Sequence, residues 1–256
     1  MRRLYRYRDL LVTLVVRELT VRYKRSSIGF LWTMLQPLLT MVVLYLVFSS
    51  IFKLNIPNYP VYVLAGLLFW NFFSQSIVSA MNSLRGNAGL LKKLPVPQAV
   101  FPVATVIAGV INLVLALLPL LVIVYFTNQP HRLHPSLLFL PVAIAIATLF
   151  TLGAGLLLSP LAVFFYDVVE IVAVLITLTM YMTPVFYPKD IVPPHFLWVV
   201  RFNPVRSILE VFRDPIFNHK IPPWSHLSVA FGVALAVFVL GYWSFRRSTD
   251  RIPFYV

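Results

Sequence analysis

The chain has 256 residues, of which 60% are hydrophobic and only 11% are charged, with a formal net charge of +13. Soluble domains are nearer half apolar and a quarter charged, so this composition excludes an ordinary water-soluble protein. The basic residues lie between apolar runs, a pattern typical of membrane topology and contact with membrane lipids rather than of nucleic-acid binding. The absence of cysteine excludes disulfides, thiolate metal sites and cysteine nucleophiles.

Six long apolar runs predict an all-α integral membrane protein with one transmembrane domain over residues 1–256. About 20 apolar residues cross the hydrocarbon core at the helical rise of about 1.5 Å per residue. The predicted spans are 30–52, 60–82, 99–126, 136–165, 168–187 and 227–245. Fourteen of the 21 Lys and Arg residues fall on one side if the N-terminus is inside. The excess predicts that both termini are cytoplasmic.

Residues 4–27 have a helical period before the first span, with Leu11, Leu14 and Leu19 on one face. The pattern predicts an amphipathic helix that lies in the membrane interface. Glu18 and Arg22 are four residues apart, a spacing that favours a surface ion pair. The segment is either a membrane anchor or a docking element for a partner.

Residues 85–97, between the second and third spans, read RGNAGLLKKLPVP, which predicts a short helix ended by proline. The segment either connects two spans or binds a partner on the cytoplasmic side.

Residues 188–222 are rich in proline and hold two apolar pieces, 196–202 and 205–212, which are too short to span the membrane. These pieces predict re-entrant helices, as part of an exit path or as an external cap.

Aromatic residues with polar edges suit stacking against sugars, although lipid-facing belts and core packing use the same residues. The candidate channel-lining residues are Trp32, Phe48, Phe52, Tyr181, Phe186 and Tyr187.

Catalytic and metal-binding patterns are missing from the sequence. The five histidines fall in predicted external loops or at a span end, which predicts no metal site. Asp167 and Glu170 lie at a predicted turn in water and indicate no catalytic pair. The chain lacks the glycine-rich loop that holds ATP phosphates, so any ATP-driven work requires a second polypeptide.

Two groups of residues resemble the permease subunits of bacterial ABC exporters for lipid-linked polysaccharides, the family that includes O-antigen, teichoic-acid and capsule exporters. The first group is Arg17-Glu18, the sequence RYKRSSIGFLW over 22–32 and QPL over 36–38. The second is MTPVFYP over 182–188, followed by FNP over 202–204 and then Arg213. The similarity covers essentially the whole chain. The sequence differs from the family pattern after the fourth span: many members have Arg-Asp there, whereas in this chain Tyr166 precedes Asp167.

The resemblance implies a channel-forming subunit of the inner membrane, not an enzyme, that works as two copies with two ATPase subunits. ATP and Mg²⁺ would bind the ATPase, and a lipid-linked glycan would pass through the channel. The resemblance assigns ATPase coupling to Leu90, Leu91, Lys92, Lys93, Glu18 and Arg22. Two alternatives remain open: an ABC exporter of lipids or drugs, and a membrane-embedded enzyme that acts on lipid-linked sugars.

Overall fold

The computed structural model describes residues 7–24, 28–51, 56–93, 96–127 and 134–255. Within these ranges the chain is helical and has no β-strand. An all-α membrane protein is therefore confirmed, as expected for a chain whose backbone hydrogen bonds must be made inside each segment in lipid.

Five helical segments are long and apolar enough to cross a membrane, which confirms five of the six predicted spans. The first comprises a 3₁₀ turn Gly29–Leu31, helix α2 over Trp32–Leu46 and a π turn Val47–Ile51. The others are α3 (Tyr59–Gly86), α5 (Val100–Thr127), α6 (Leu140–Phe164, preceded by a 3₁₀ turn Pro135–Phe139) and α10 (Trp224–Ser248).

The fifth predicted span is shorter than expected: α7 covers Val168–Met182, only 15 residues. At about 1.5 Å per residue it is about 22 Å long, less than the hydrocarbon core of about 30 Å. The prediction that this helix continues to residue 187 is wrong. Thr183 is extended (φ −103°, ψ 135°) because Pro184 follows it, and proline disfavours helical backbone in the residue before it.

Helix α3 is the centre of the bundle and packs against α2, α5, α6 and α7. Of its most apolar stretch, 78% is buried, compared with 17% for α10. Helix α10 lies along α6, and Gly241 packs so tightly against the Gly153 carbonyl that a Cβ on Gly241 would collide with it. The outer helices therefore keep wide apolar faces for lipid or for another subunit.

The N-terminal helix α1 (Arg8–Tyr23) packs against the start of α5. Leu14 and Val15 are buried in a cluster with Val100 and Phe101, and Leu11 and Leu19 are half-buried there. The helix is thus attached to the bundle by one face, while its location in the membrane interface remains a prediction.

Two short helices follow the non-helical segment that begins at Thr183. They are α8 (Leu197–Phe202) and α9 (Pro204–Arg213, continued by a π turn Asp214–Asn218). They match the two short helices that the sequence predicts. Asn203 is the N-cap of α9, and its side-chain oxygen accepts a hydrogen bond from the Val205 amide at 3.0 Å. Ile208, Leu209 and Phe212 are fully buried, so α9 is part of the bundle core.

Candidate functional site

The backbone after α7 leaves its carbonyl groups without helical partners, and side chains from other elements bind them. Arg213 donates from Nη1 to the Pro184 oxygen (2.8 Å) and from Nη2 to the Val185 oxygen (2.7 Å). These bonds satisfy two carbonyls inside the protein, where unpaired groups are costly. The non-helical segment after α7 is therefore held in place by hydrogen bonds from α9.

Two tyrosines of α3 bind the next carbonyls. The Tyr59 hydroxyl donates to the Phe186 oxygen at 2.6 Å, and the Tyr62 hydroxyl donates to the Tyr187 oxygen at 2.9 Å. The Arg213 guanidinium lies 3.9 Å from the centre of the Tyr62 ring, a cation–π contact. Carbonyl oxygens and an aromatic face thus compensate a guanidinium that is only 5% exposed.

Gly66 leaves room for the hydrogen bonds between Arg213 and the segment after α7. A Cβ at position 66 would overlap the Arg213 guanidinium and would lie 2.5 Å from the Val185 oxygen. Only glycine allows α3 to approach the broken segment so closely.

Four of the predicted channel-lining residues lie together at this end of the bundle. The Phe48 ring is 5.9 Å from the Phe186 ring, which lies 6.0 Å from Tyr181 and 5.4 Å from Tyr187. Tyr181 is 63% exposed, on a helix face that also exposes apolar residues. Trp32 lies at the opposite end of its span, and Phe52 is outside the described residues.

At the predicted cytoplasmic end, α4 (Ala88–Lys93) occupies the loop between the second and third spans. Leu90 and Leu91 are half-buried and pack inward, whereas Lys92 and Lys93 are exposed. The predicted docking residues therefore divide into two leucines that hold the helix and two lysines that face outward.

A hydrogen bond connects α1 to the start of α4. Arg17 donates from Nη1 to Asn87 Oδ1 at 2.9 Å, and the Asn87 amide donates to the Ser83 carbonyl at 2.8 Å. Asn87 is buried at 7% exposure. Glu18, the next residue of α1, is half-buried, and the Arg22 side chain is outside the described part of the structure.

A second contact joins the end of α3 to the turn after α6. The Arg85 guanidinium lies 3.9 Å from the centre of the Tyr166 ring, the position at which the sequence departs from the pattern of the resembled family. Asp167 and Glu170 are exposed at that turn.

A polar crevice of about 450 Å³ lies between α1, α2, α3 and α5. The crevice was not predicted from the sequence, although Asn71, Gln75 and Ser79 recur every four residues on α3 within an apolar run. That spacing puts them on one helix face. Gln36 and Asn112 line the crevice from the neighbouring spans.

These features define the class of the protein: a helical membrane protein with several spans, one of them broken near its end, and a small helix beside the N-terminal helix. The sequence profile of the ABC-2 type transporter family matches residues 9–217, and the chain belongs to this family.

Similar proteins align along nearly the full length of the chain. The O-antigen export system permease protein RfbA of Myxococcus xanthus is 34% identical over 238 residues, covering 92% of this chain and 91% of that protein. The protein of the same name from Klebsiella pneumoniae is 31% identical over 246 residues, covering 95% and 93%. The polysialic acid transport protein KpsM of Escherichia coli is 20% identical, covering 93% of each chain.

Proposed function

We propose that this chain is the channel-forming permease subunit of an ATP-driven exporter that moves a lipid-linked, O-antigen-like polysaccharide from the cytoplasmic to the outer face of the inner membrane. One observation carries the proposal: two relatives above 30% identity, both O-antigen export permeases by name, align over more than 90% of both chains. Full-length alignment supports the same architecture and the same task.

A separate ATPase subunit supplies the energy in this proposal, and two permease chains assemble with two ATPases. An exposed lysine pair on α4 and its connection to α1 through Arg17 and Asn87 support a docking role for this side. ATP-driven closure does work on the channel only through contacts that differ between its states. We therefore assign coupling to α4 and α1, with both chain termini in the cytoplasm.

The second permease copy completes the channel. Helices α2 and α7 expose broad apolar faces, which include Val42 and Leu46 on α2 and Ile171 and Leu175 on α7. A wide apolar face in a membrane bundle meets either lipid or another helix. We assign these faces to the subunit interface and the aromatic group around Phe186 to the wall of the outer channel.

Deletion of the gene tests the proposed function. We expect surface polysaccharide to disappear and lipid-linked polysaccharide to accumulate inside the cell, and we expect the tagged chain to purify with a near-equal amount of an ATPase. Full surface polysaccharide in the deletion strain, or purification of a chain that hydrolyses no ATP, would contradict the proposal.

A further inference from the structure

The polar crevice between α1, α2, α3 and α5 reaches about halfway into the bundle. Gln75 lies eleven residues before the end of α3 at Gly86, and Asn112 lies twelve residues after the start of α5 at Val100. At about 1.5 Å per residue, these positions are about 16 and 18 Å from the ends of their helices on that side. Polar side chains at such depth are costly next to lipid and occur where they bind a neighbouring helix or a ligand. Gln75 and Asn112 themselves have interactions within the protein.

The chemistry of the lining is that of groups that both donate and accept hydrogen bonds. Amides come from Gln36, Asn71, Gln75 and Asn112, and hydroxyls come from serine and threonine residues of the same helices. The Trp32 ring lines the same crevice. Amides with an aromatic ring match a sugar, whose hydroxyls need both donors and acceptors and whose C–H face packs on a ring.

Ser76 lies where α3 packs against α5 at the edge of the crevice. It is 3% exposed, and its hydroxyl has no hydrogen-bond partner among the described residues. A Cβ on Gly109 would overlap the Ser76 oxygen, so the contact between the two helices encloses this hydroxyl. The exposed polar groups of the lining, Gln36 and Ser79, are the ones that a ligand in the crevice would meet.

The crevice has the size and position of a binding site. Its volume of about 450 Å³ lies within the range of about 300–1,000 Å³ that holds small ligands. Glu18 of α1 lines one end, beside the helix to which the proposed function assigns coupling.

We propose that this crevice binds the first, uncharged sugar units of the lipid-linked glycan on the cytoplasmic side, before the polymer enters the channel. The inference rests on the proposed function, because it names the part of the protein that receives the exported molecule. Binding between α1 and the first span would connect the presence of substrate to the elements that contact the ATPase.

Leucine variants test the crevice in cells that carry the complete permease–ATPase complex. Gln36→Leu and Asn71→Leu keep the approximate size of the side chain but remove its capacity for hydrogen bonds with a ligand in the crevice. We expect surface glycan to fall about tenfold in each variant, the effect of losing one or two hydrogen bonds. Asn82→Leu is the matched control, since Asn82 is exposed on the same helix and donates to its own helix at Val78. We expect it to export normally.

A labelling experiment tests occupancy directly and uses the absence of natural cysteine. The Ser79→Cys variant, with an inactive ATPase partner, would be treated with N-ethylmaleimide in cells with and without the enzyme that begins glycan synthesis. We expect about threefold slower labelling when the glycan is present, as mass action requires for a site that is about two-thirds occupied. The control Asn82→Cys should label at one rate in both strains.

The outcomes separate this inference from the proposed function. Normal export by both leucine variants would overturn the proposal that the crevice binds the glycan. Equal labelling of Ser79→Cys in the two strains would overturn it too. If a leucine variant fails to assemble, the labelling result decides, because serine and cysteine are nearly the same size. Surface glycan that survives deletion of the gene would reject the proposed function itself.

Discussion

The Arg213 guanidinium lies 3.9 Å above the Tyr62 ring and donates to two carbonyls of the segment that follows α7. The pair joins α9 to α3 across the point at which the fifth span breaks. It explains how the bundle holds a non-helical segment, because the carbonyl groups of this segment are paired with protein groups.

Arg213→Met should destabilise the protein, because it leaves the Val185 oxygen buried without its donor and the Pro184 oxygen with only the 3.3 Å bond from the Tyr62 hydroxyl. An unsatisfied buried group costs about 1–3 kcal/mol. The midpoint of thermal unfolding in detergent measures the effect. Arg206→Met is the matched control: its ion pair with Glu210 is partly exposed and should contribute about 0–1 kcal/mol. Equal midpoints for the two variants would contradict the role of Arg213.

Gly66→Ala should lower the yield of folded protein, because the added methyl group meets the Arg213 guanidinium and the Val185 carbonyl. Overpacking of this kind costs about 1–3 kcal/mol. Gly232→Ala is the comparison, since Gly232 lies in α10 with open space around it. There alanine should stabilise the helix by about 0.5–1 kcal/mol. Size-exclusion profiles and unfolding midpoints of both variants provide the measurement.

Asn87→Ala should separate ATP hydrolysis from export, because Asn87 receives the hydrogen bond from Arg17 that connects α1 to α4. A bond to a charged group contributes about 1.5–3 kcal/mol. We expect less glycan exported per ATP hydrolysed, and the Arg17→Ala, Asn87→Ala double variant should be no worse than either single variant. Asn82→Ala serves as the control. Fully additive losses in the double variant would show that the two residues act independently.

Replacement of Lys92 and Lys93 by glutamate should release the ATPase, because it puts two negative charges where the proposed docking surface presents two positive ones. Charge reversal at an interface acts mainly on the association rate and its salt dependence. The amount of ATPase that purifies with the tagged permease measures docking. Lys189→Glu is the matched control, an exposed lysine beyond the break. Unchanged recovery of the ATPase would remove the lysines from the docking surface.

Tyr181→Ala should reduce export several-fold without changing assembly or basal ATP hydrolysis, because Tyr181 is 63% exposed beside the Phe186 ring. Stacking on an exposed ring contributes to contact with a sugar face. Tyr242→Ala is a matched change on α10, where the tyrosine is 49% exposed. If both variants exported equally well, Tyr181 would not line the channel.

Several elements were predictable from local pattern. The long apolar runs predicted five of the spans within a few residues, and the pattern over 85–97 predicted the short helix between the second and third spans. The end of α7 was misjudged because the apolar run continues through Val185 and Phe186, whereas Pro184 stops the helix.

The candidate sites were less accessible to sequence reasoning. Arg213 was recognised as part of a motif, but its partners are 28 and 29 residues away along the chain. The crevice was not predicted, since Gln36, Gln75 and Asn112 are isolated polar residues in three separate apolar runs. Their meeting depends on which face each helix turns toward the others.

The sequence by itself determined that this protein lies in a membrane, where its helices approximately begin and end, and where the segments between them fall. Transfer of apolar runs into lipid, proline chemistry and the distribution of basic residues act locally along the chain. Only the tertiary structure decided that α9 enters the core, that Tyr62 and Arg213 enclose the broken segment, and that amides from three spans share one crevice. Helix rotation and packing decide these relationships, because they depend on the close fit of surfaces distant in sequence.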